Sequence, residues 1–446
     1  MTTTTRLAPG PRQRFPGDTL VAYRSGPLDF LVGLQRRYGD VAHFRGGPEH
    51  FFLVSRPEWI NDVLVTHQRN FTKSIGLQAA KRVLGEGLLT SEGEFHLRQR
   101  RLVQPAFHRK RIASYAEAMV ECAVRTRAAW QDGATIDVGH EMTQLTLAIV
   151  GRTLFDADVG GAAHEIGAAL DELMEMFPLA TLPGYKYLER LPLPPMQRAS
   201  AANATLDALI YGMIAERRAS GDDRGDLLSM LLLAQDEQGS GGMTDEQVRD
   251  EALTLFLAGH ETTANLLIWT FYLLSQHGDV RAQLEREIDG ALVGRLPTFD
   301  DLPKLPYTRQ VIAEAMRLYP PAWVIARQAI ADYEVGGYHV PAGATILTSQ
   351  WVVHHDVRWY PDPLRFDPTR WTTEAQAARP KFSYFPFGGG TRLCIGEQFA
   401  WTEGVLLLAT LAQHWRLRLA PNQVVDTKPL VTLRPRHAMH MVAERR

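Results

Sequence analysis

The sequence predicts a mainly α protein of the α+β class, a large helical body carrying small, segregated β-sheets. Three observations support this. From Pro57 to about Gln276 nearly every segment spaces its apolar residues for a helix. Short strand-like runs are confined to the two ends of the chain. The longest apolar tract, Thr254 to Leu274, is interrupted by Gly259, His260, Glu261, Thr262, Thr263 and Asn265, which marks a buried helix crossing a core and not a bilayer span.

Taken in order, residues 1–20 are rich in Thr, Pro, Arg and Gly and are expected to be extended, with no apolar run suited to a signal peptide. Leu28 to Tyr38 has helical spacing. Val41 to Phe44 and Phe51 to Val54, joined through Gly46-Gly47-Pro48, read as a hairpin. The helical body that follows breaks at Gly85-Glu86-Gly87, at Pro178 to Pro195 and at Gly239 to Gly242. One of its helices begins after Gly93. Helices are then expected over Val280 to Leu292 and Tyr307 to Tyr319, and strands at Val324 to Ile330, Tyr333 to Val340 and Thr345 to Ser349. Irregular chain leads to Cys394, a long helix runs on to about Trp415, and strands close the chain. No repeat or linker divides it.

Composition narrows the function. Charged residues make up 22% of the 446 and nearly cancel, to a net charge of −2, so no basic field attracts nucleic acid or anionic lipid. Two cysteines build no disulfide framework and fit a reducing compartment, and with no long apolar run near the N-terminus the chain is expected to be cytoplasmic and without a transmembrane anchor.

The chemistry gathers at Phe387-Gly388-Gly389-Gly390-Thr391-Arg392-Leu393-Cys394-Ile395-Gly396. Glycines let the backbone turn tightly against a bulky flat group. The start of the following helix and Arg392 favour Cys394 as a thiolate. One thiolate cannot build a zinc or iron–sulfur site, but it suffices as the axial ligand of a haem. The run is neither a P-loop, lacking Gly-Lys-Ser/Thr, nor a dinucleotide fingerprint, because Leu393 stands where the third glycine belongs.

Phe387, Gly390, Arg392, Cys394 and Gly396 match the haem-binding signature of the cytochrome P-450 superfamily, which the chain therefore resembles. The resemblance implies one haem-thiolate domain over 1–446, with haem b bound through Cys394, and Phe387, Arg392 and Gly396 beside it. It also bears on Glu314-Ala315-Met316-Arg317, which alone reads as a helical ion pair on a solvated face. In the superfamily, residues matching Glu314, Arg317 and the downstream Arg370 form a buried network that holds the loop under the haem.

A glycine, an acid and two hydroxyls in Ala258-Gly259-His260-Glu261-Thr262-Thr263 suit a plain core helix poorly. The resemblance assigns Thr262 to hydrogen bonding of dioxygen and Glu261 to proton relay, whereas His260 reads as a satisfied helix histidine. His96 and Arg100, four apart on one helical face, match residues that bind a haem propionate, as does Arg327. Arg98, Arg101 and Arg109-Lys110-Arg111 lie where family members receive a redox partner. No flavin or iron–sulfur module is present, so a ferredoxin or flavodoxin with its reductase is expected to deliver electrons from NAD(P)H. The protein is expected to be a monomer.

By family position, the substrate pocket draws on Ser74, Ile75 and Leu77; on Met176 to Tyr187, including Phe177; on Phe256, Leu257 and Ala258; on Trp323 and Val324; and on Thr432. These are mostly apolar and suggest a small apolar substrate of the terpenoid, carotenoid or fatty acid class, oxidised by O2. A carboxylate on it would need a cation, for which Lys73 and Lys186 are candidates. Two alternatives stand beside the monooxygenase: a peroxide-using or isomerising haem-thiolate enzyme, and a haem sensor without turnover. The intact Glu261-Thr262 pair argues against both.

Overall fold

The computed structural model describes residues 6–15, 17–156, 163–180, 185, 191, 193–234 and 242–446. The chain forms two compact units, one made of 1–75 with 313–394 and the other of 76–312 with 395–446.

The first unit is built on a sheet of β1 (Val41–Gly46), β2 (Glu49–Val54), β3 (Phe71–Lys73), β5 (Ile325–Ala329) and β8 (Thr345–Thr348), ordered β1-β2-β8-β5-β3. β1 and β2 form the expected hairpin, Val41 opposite Val54 and Gly46 opposite Glu49. Val41, Phe52, Val54, Phe71, Ala329 and Ile346 from these strands are buried with Leu64, Phe382 and Phe385. The run Tyr333 to Val340, expected as one strand, is two: β6 (Tyr333–Val335) and β7 (Tyr338–Val340) turn back over Gly336-Gly337. Both glycines have positive φ, and a Cβ on Gly336 would lie 2.8 Å from the Trp59 ring. The N-terminus is only partly extended. Pro9 O accepts from His43 N, pinning residues 6–15 to the sheet, but a helix starts at Asp18, inside the segment expected to lack one.

The second unit is helical. The helices that position the candidate site are α1 (Gly93–Val103), α2 (Ala163–Ala180), α3 (Asp245–Gln276), α4 (Pro306–Leu318), which crosses into the first unit at Ala313, and α5 (Glu397–Ala412). α3 starts at a capping box in which Thr244 and Gln247 satisfy each other's backbone N–H, with Asp245 and Glu246 at its positive end. α2 runs through Pro178 to Ala180, past the break expected at that proline, and part of the Met176 to Tyr187 segment, with Lys186, lies outside the described residues. α5 ends at Ala412, and Trp415 opens a strand. That strand, β9 (Trp415–Leu419), joins β4 (Thr135–Asp137) and β12 (His440–Arg445) in the order β4-β12-β9, while β10 (Thr427–Pro429) pairs with β11 (Leu433–Pro435). β3 and β4 fell inside the run read as helical. Strands of three residues have no period to detect and exist because a partner strand lies beside them. Among the described residues no helix is long and apolar enough to cross a membrane.

Candidate active site

Cys394 is exposed, whereas Cys122 is buried. The loop that presents Cys394 is shaped by close contact. Gly388 has φ +75°, and a Cβ there would lie 3.3 Å from Ile325 Cδ1. One on Gly389 would meet the Phe382 ring at 2.8 Å. On Gly390, φ +69°, it would meet the Leu64 carbonyl oxygen at 2.1 Å and the Gln68 amide oxygen at 2.5 Å. Only glycine fits at the last two positions. The turn closes through Cys394 N donating to Phe387 O at 3.0 Å and Leu393 N to Gly390 O at 3.1 Å. Gly396 caps the start of α5.

The scaffold behind this loop is polar and fully buried. Glu314 and Arg317 share α4 and have no exposed surface; Arg317 grips the carboxylate with Nε and Nη2, both at 2.8 Å. The same guanidinium donates to the carbonyls of His354 and Pro363 at 2.8 Å and of Arg365 at 3.2 Å. Glu314 further accepts from Asp367 N at 3.0 Å and Trp371 Nε1 at 2.9 Å. Arg370 joins more loosely, its Nε 3.4 Å from Glu314 without hydrogen-bond geometry, and it donates through Nη2 to Asp362 O. Trp371, Asp367 and Tyr360, whose ring lies under the Arg317 guanidinium, are members that sequence reasoning did not assign; only the proline-braced run around them hinted at it. His354 is buried, and burial holds its pKa well below the usual range, so the neutral ring accepts from Phe385 N through Nε2 at 3.2 Å.

On the sheet, Arg327 in β5 stands opposite Lys73 in β3, so two of the expected cations face each other in register. Ile325, two residues along the same face, is the side chain that meets Gly388.

In the second unit, Ala258 is the single exposed residue of α3 between Val248 and Leu274, and Gly259 and Thr262 beside it are half-buried. Thr262 Oγ1 donates to Ala258 O at 2.8 Å, the back-bond expected of a helix hydroxyl. Gly259 also has a packing reason: a Cβ would lie 2.9 Å from Val150. His260 is buried against the Phe256 carbonyl at 2.7 Å, with its pKa lowered by burial.

Glu261 is not free. Thr432 Oγ1 donates to its carboxylate at 2.6 Å, and Arg434 of β11 is paired with it. Arg434 also reaches Asp171 of α2 at 3.0 Å, and Asn265 Nδ2 donates to both Glu261 O and Thr432 Oγ1, at 3.0 and 3.2 Å. Arg434 and Asp171 were missed because they reach the acid from distant stretches with no local pattern, whereas Asn265, one turn along the same helix, was read only as an interruption of the apolar tract. Thr432, expected as pocket wall, commits its hydroxyl to the acid. Phe256, also expected there, is 1% exposed and stacks on Phe155 at 4.2 Å, so it is helix packing. Leu257 and Trp323 are buried, Leu77, Phe177 and Val324 half-buried, and Ile75 exposed. His96 is buried and Arg100 half-buried, one turn apart on α1. Arg98 is held by Gly242 O and Arg111 by Gly225 O, which leaves Arg101, Arg109 and Lys110 as the exposed cations of that run. Arg109 also borders a cavity of about 370 Å³ with Phe299, Arg309 and Trp401, which includes none of the expected pocket residues.

Among the described residues no three His, Cys, Asp or Glu side chains gather as metal ligands. The exposed Cys394 on its glycine turn suits the thiolate side of a haem.

The family model described as "Cytochrome P450" matches residues 9–442. The chain is 41% identical to cyclooctatin synthase of Streptomyces melanosporofaciens, over 91% of this chain and 89% of that one. It is 40% identical to cyclooctat-9-en-7-ol 5-monooxygenase of the same organism, over 94% and 91%. Pentalenene oxygenase of Streptomyces avermitilis is 37% identical over 91% and 90%.

Proposed function

The chain belongs to the cytochrome P450 family and is a haem-thiolate monooxygenase, and on that premise we propose that it oxygenates a terpenoid, with Cys394 as the axial ligand of haem b. Of the three substrate classes the sequence suggested, the names of the similar proteins favour this one.

When bound, the haem supplies the capture and reductive activation of O2. The residues do the rest. Cys394 is offered from a turn in which bulk is excluded at Gly389 and Gly390, so the sulfur can approach a flat ring closely. The Glu314–Arg317–Arg370 group holds the preceding segment through backbone carbonyls and amides and has no contact with substrate to make. His96, Arg100, Arg327 and Arg392 would neutralise the two propionates, whose charge would be costly to bury alone. Thr262 holds a hydroxyl at the accessible patch of α3, able to donate to dioxygen once it leaves the Ala258 carbonyl. Glu261, one residue earlier, would resupply its proton. Electrons would come from an acidic ferredoxin or flavodoxin docking near Arg101, Arg109 and Lys110. A cytoplasmic location fits the cysteine count, and the reading takes the chain as a monomer with one catalytic domain.

The observation that carries this reading is a lone exposed cysteine on a turn where only glycine fits. Reduced protein under CO should show the strongly red-shifted Soret band of thiolate ligation, and Cys394→Ser should abolish it along with turnover of a terpenoid panel. An unchanged spectrum in the serine variant would remove Cys394 as ligand.

A further inference from the structure

We propose that Gln68 is a positioning residue for the Cys394 thiolate, acting as the hydrogen-bond acceptor that fixes the turn from which the sulfur is presented. The proposal rests on the reading of Cys394 as axial ligand.

The turn's own two backbone bonds close it but leave its glycine stretch permissive. Gly388, Gly389 and Gly390 form three consecutive permissive residues, two of them at positive φ, so the position of Thr391 to Cys394 depends on pins from outside. Gln68 supplies one. Its side-chain oxygen accepts from Thr391 N at 2.7 Å and from Thr391 Oγ1 at 2.8 Å, three residues before the cysteine. Both bonds use the same acceptor atom and neither uses the amide NH2 group.

Gln68 is itself held firmly. It follows a π-helical turn at Asp62–Thr66, a rare wide turn frequent at functional sites. That turn brings the Leu64 carbonyl and Val65 against Gly390 and Gly389. Asp62, at its start, accepts from His67 Nδ1 at 2.7 Å and from the Tyr333 hydroxyl. At its far end the segment enters β3, which is locked to β5. The acceptor is therefore a fixed point, and Thr391 hangs from it.

An acceptor role predicts an order among variants. Gln68→Glu keeps the oxygen and both bonds, Gln68→Leu keeps the volume but loses both, and Thr391→Val keeps only the backbone bond. The readout is the first-order rate at which the red-shifted CO band of the reduced protein converts to the unshifted form, at fixed temperature and pH. Gln68→Leu should convert about tenfold faster than the parent, Thr391→Val about threefold, and Gln68→Glu within about twofold. Haem loss to an excess of apomyoglobin should follow the same order. If Gln68→Leu matches the parent, or if Gln68→Glu is as labile as Gln68→Leu, the acceptor role is overturned. A parent without the red-shifted band overturns the ligand reading, and this proposal with it; a parent that has the band and is indifferent to Gln68 overturns this proposal alone.

Discussion

Glu403 offers a quantitative test of the helical unit. It lies in α5, is fully buried beside Thr263 of α3, and neither carboxyl oxygen has a hydrogen bond of proper geometry among the described residues. Burial raises its pKa from the ordinary 4.5 to about 8, with the nearby Thr263 hydroxyl pulling slightly the other way. At neutral pH the folded protein holds this acid protonated while the unfolded chain ionises it. Between about pH 4.5 and 8 the native state therefore binds more protons, and stability falls as pH rises through that window, then levels off. The shift corresponds to about 5 kcal/mol as an upper bound, about 1.4 kcal/mol for each pH unit. With an unfolding entropy of about 2.1 cal/mol/K per residue, a chain of this length would lose about 1.5 °C of Tm per pH unit from this group.

Glu403→Gln keeps the shape and removes the titration. The assay is Tm of parent and variant in matched buffers from pH 5 to 8, where all other titrating groups cancel in the difference. The variant should gain on the parent by about 4 °C across the range. Parallel profiles, with a difference changing by less than about 1 °C, would show that Glu403 is solvated or paired and that the packing of α5 on α3 is misread.

Three further outcomes are expected. Glu314→Ala should yield little haem-loaded protein, since it strands the Arg317 guanidinium at a cost of about 3–5 kcal/mol, and a stable, haem-loaded variant lacking only turnover would contradict the scaffold role. Thr262→Ala should keep substrate binding and NAD(P)H consumption but lower product per NAD(P)H and raise hydrogen peroxide, measured together in one coupled assay; full coupling would refute the hydroxyl's role. Arg434→Met should remove the cation that holds the Glu261 carboxylate in place and lower product per NAD(P)H, measured with peroxide in the same coupled assay; unchanged coupling would mean the acid is not in the proton path.

The features legible in sequence were those with a short-range signature. The cysteine turn, the Glu314/Arg317 spacing and the acid–threonine pair each occupy a few neighbouring residues, and β1–β2 announces itself by alternation and a glycine turn. What escaped was created by distance. Arg434 reaches Glu261 only because the β10–β11 hairpin returns to α3, and Gln68 meets Thr391 across 323 residues. The break at Gly85-Glu86-Gly87 was seen but not its cause. Asp250 and Glu251 of α3 accept from Glu86 N and Leu88 N, and a Cβ on Gly85 or Gly87 would strike Asp250 or Thr254. At Pro178 the helix runs on two residues further, to Ala180, inside the segment read as a break.

The acid's attachment to the β10–β11 hairpin limits how freely this enzyme can be retuned. Residues 431–434 are the kind of segment a protein engineer would randomise to admit a different substrate. Here Thr432 and Arg434 also set the charge environment of Glu261, and the Leu433 carbonyl receives the Trp269 indole N–H. On the proposed reading, substrate fit and the proton supply to oxygen thus share one short segment. A library built there should drift in peroxide yield, because Thr432 and Arg434 both bond the acid.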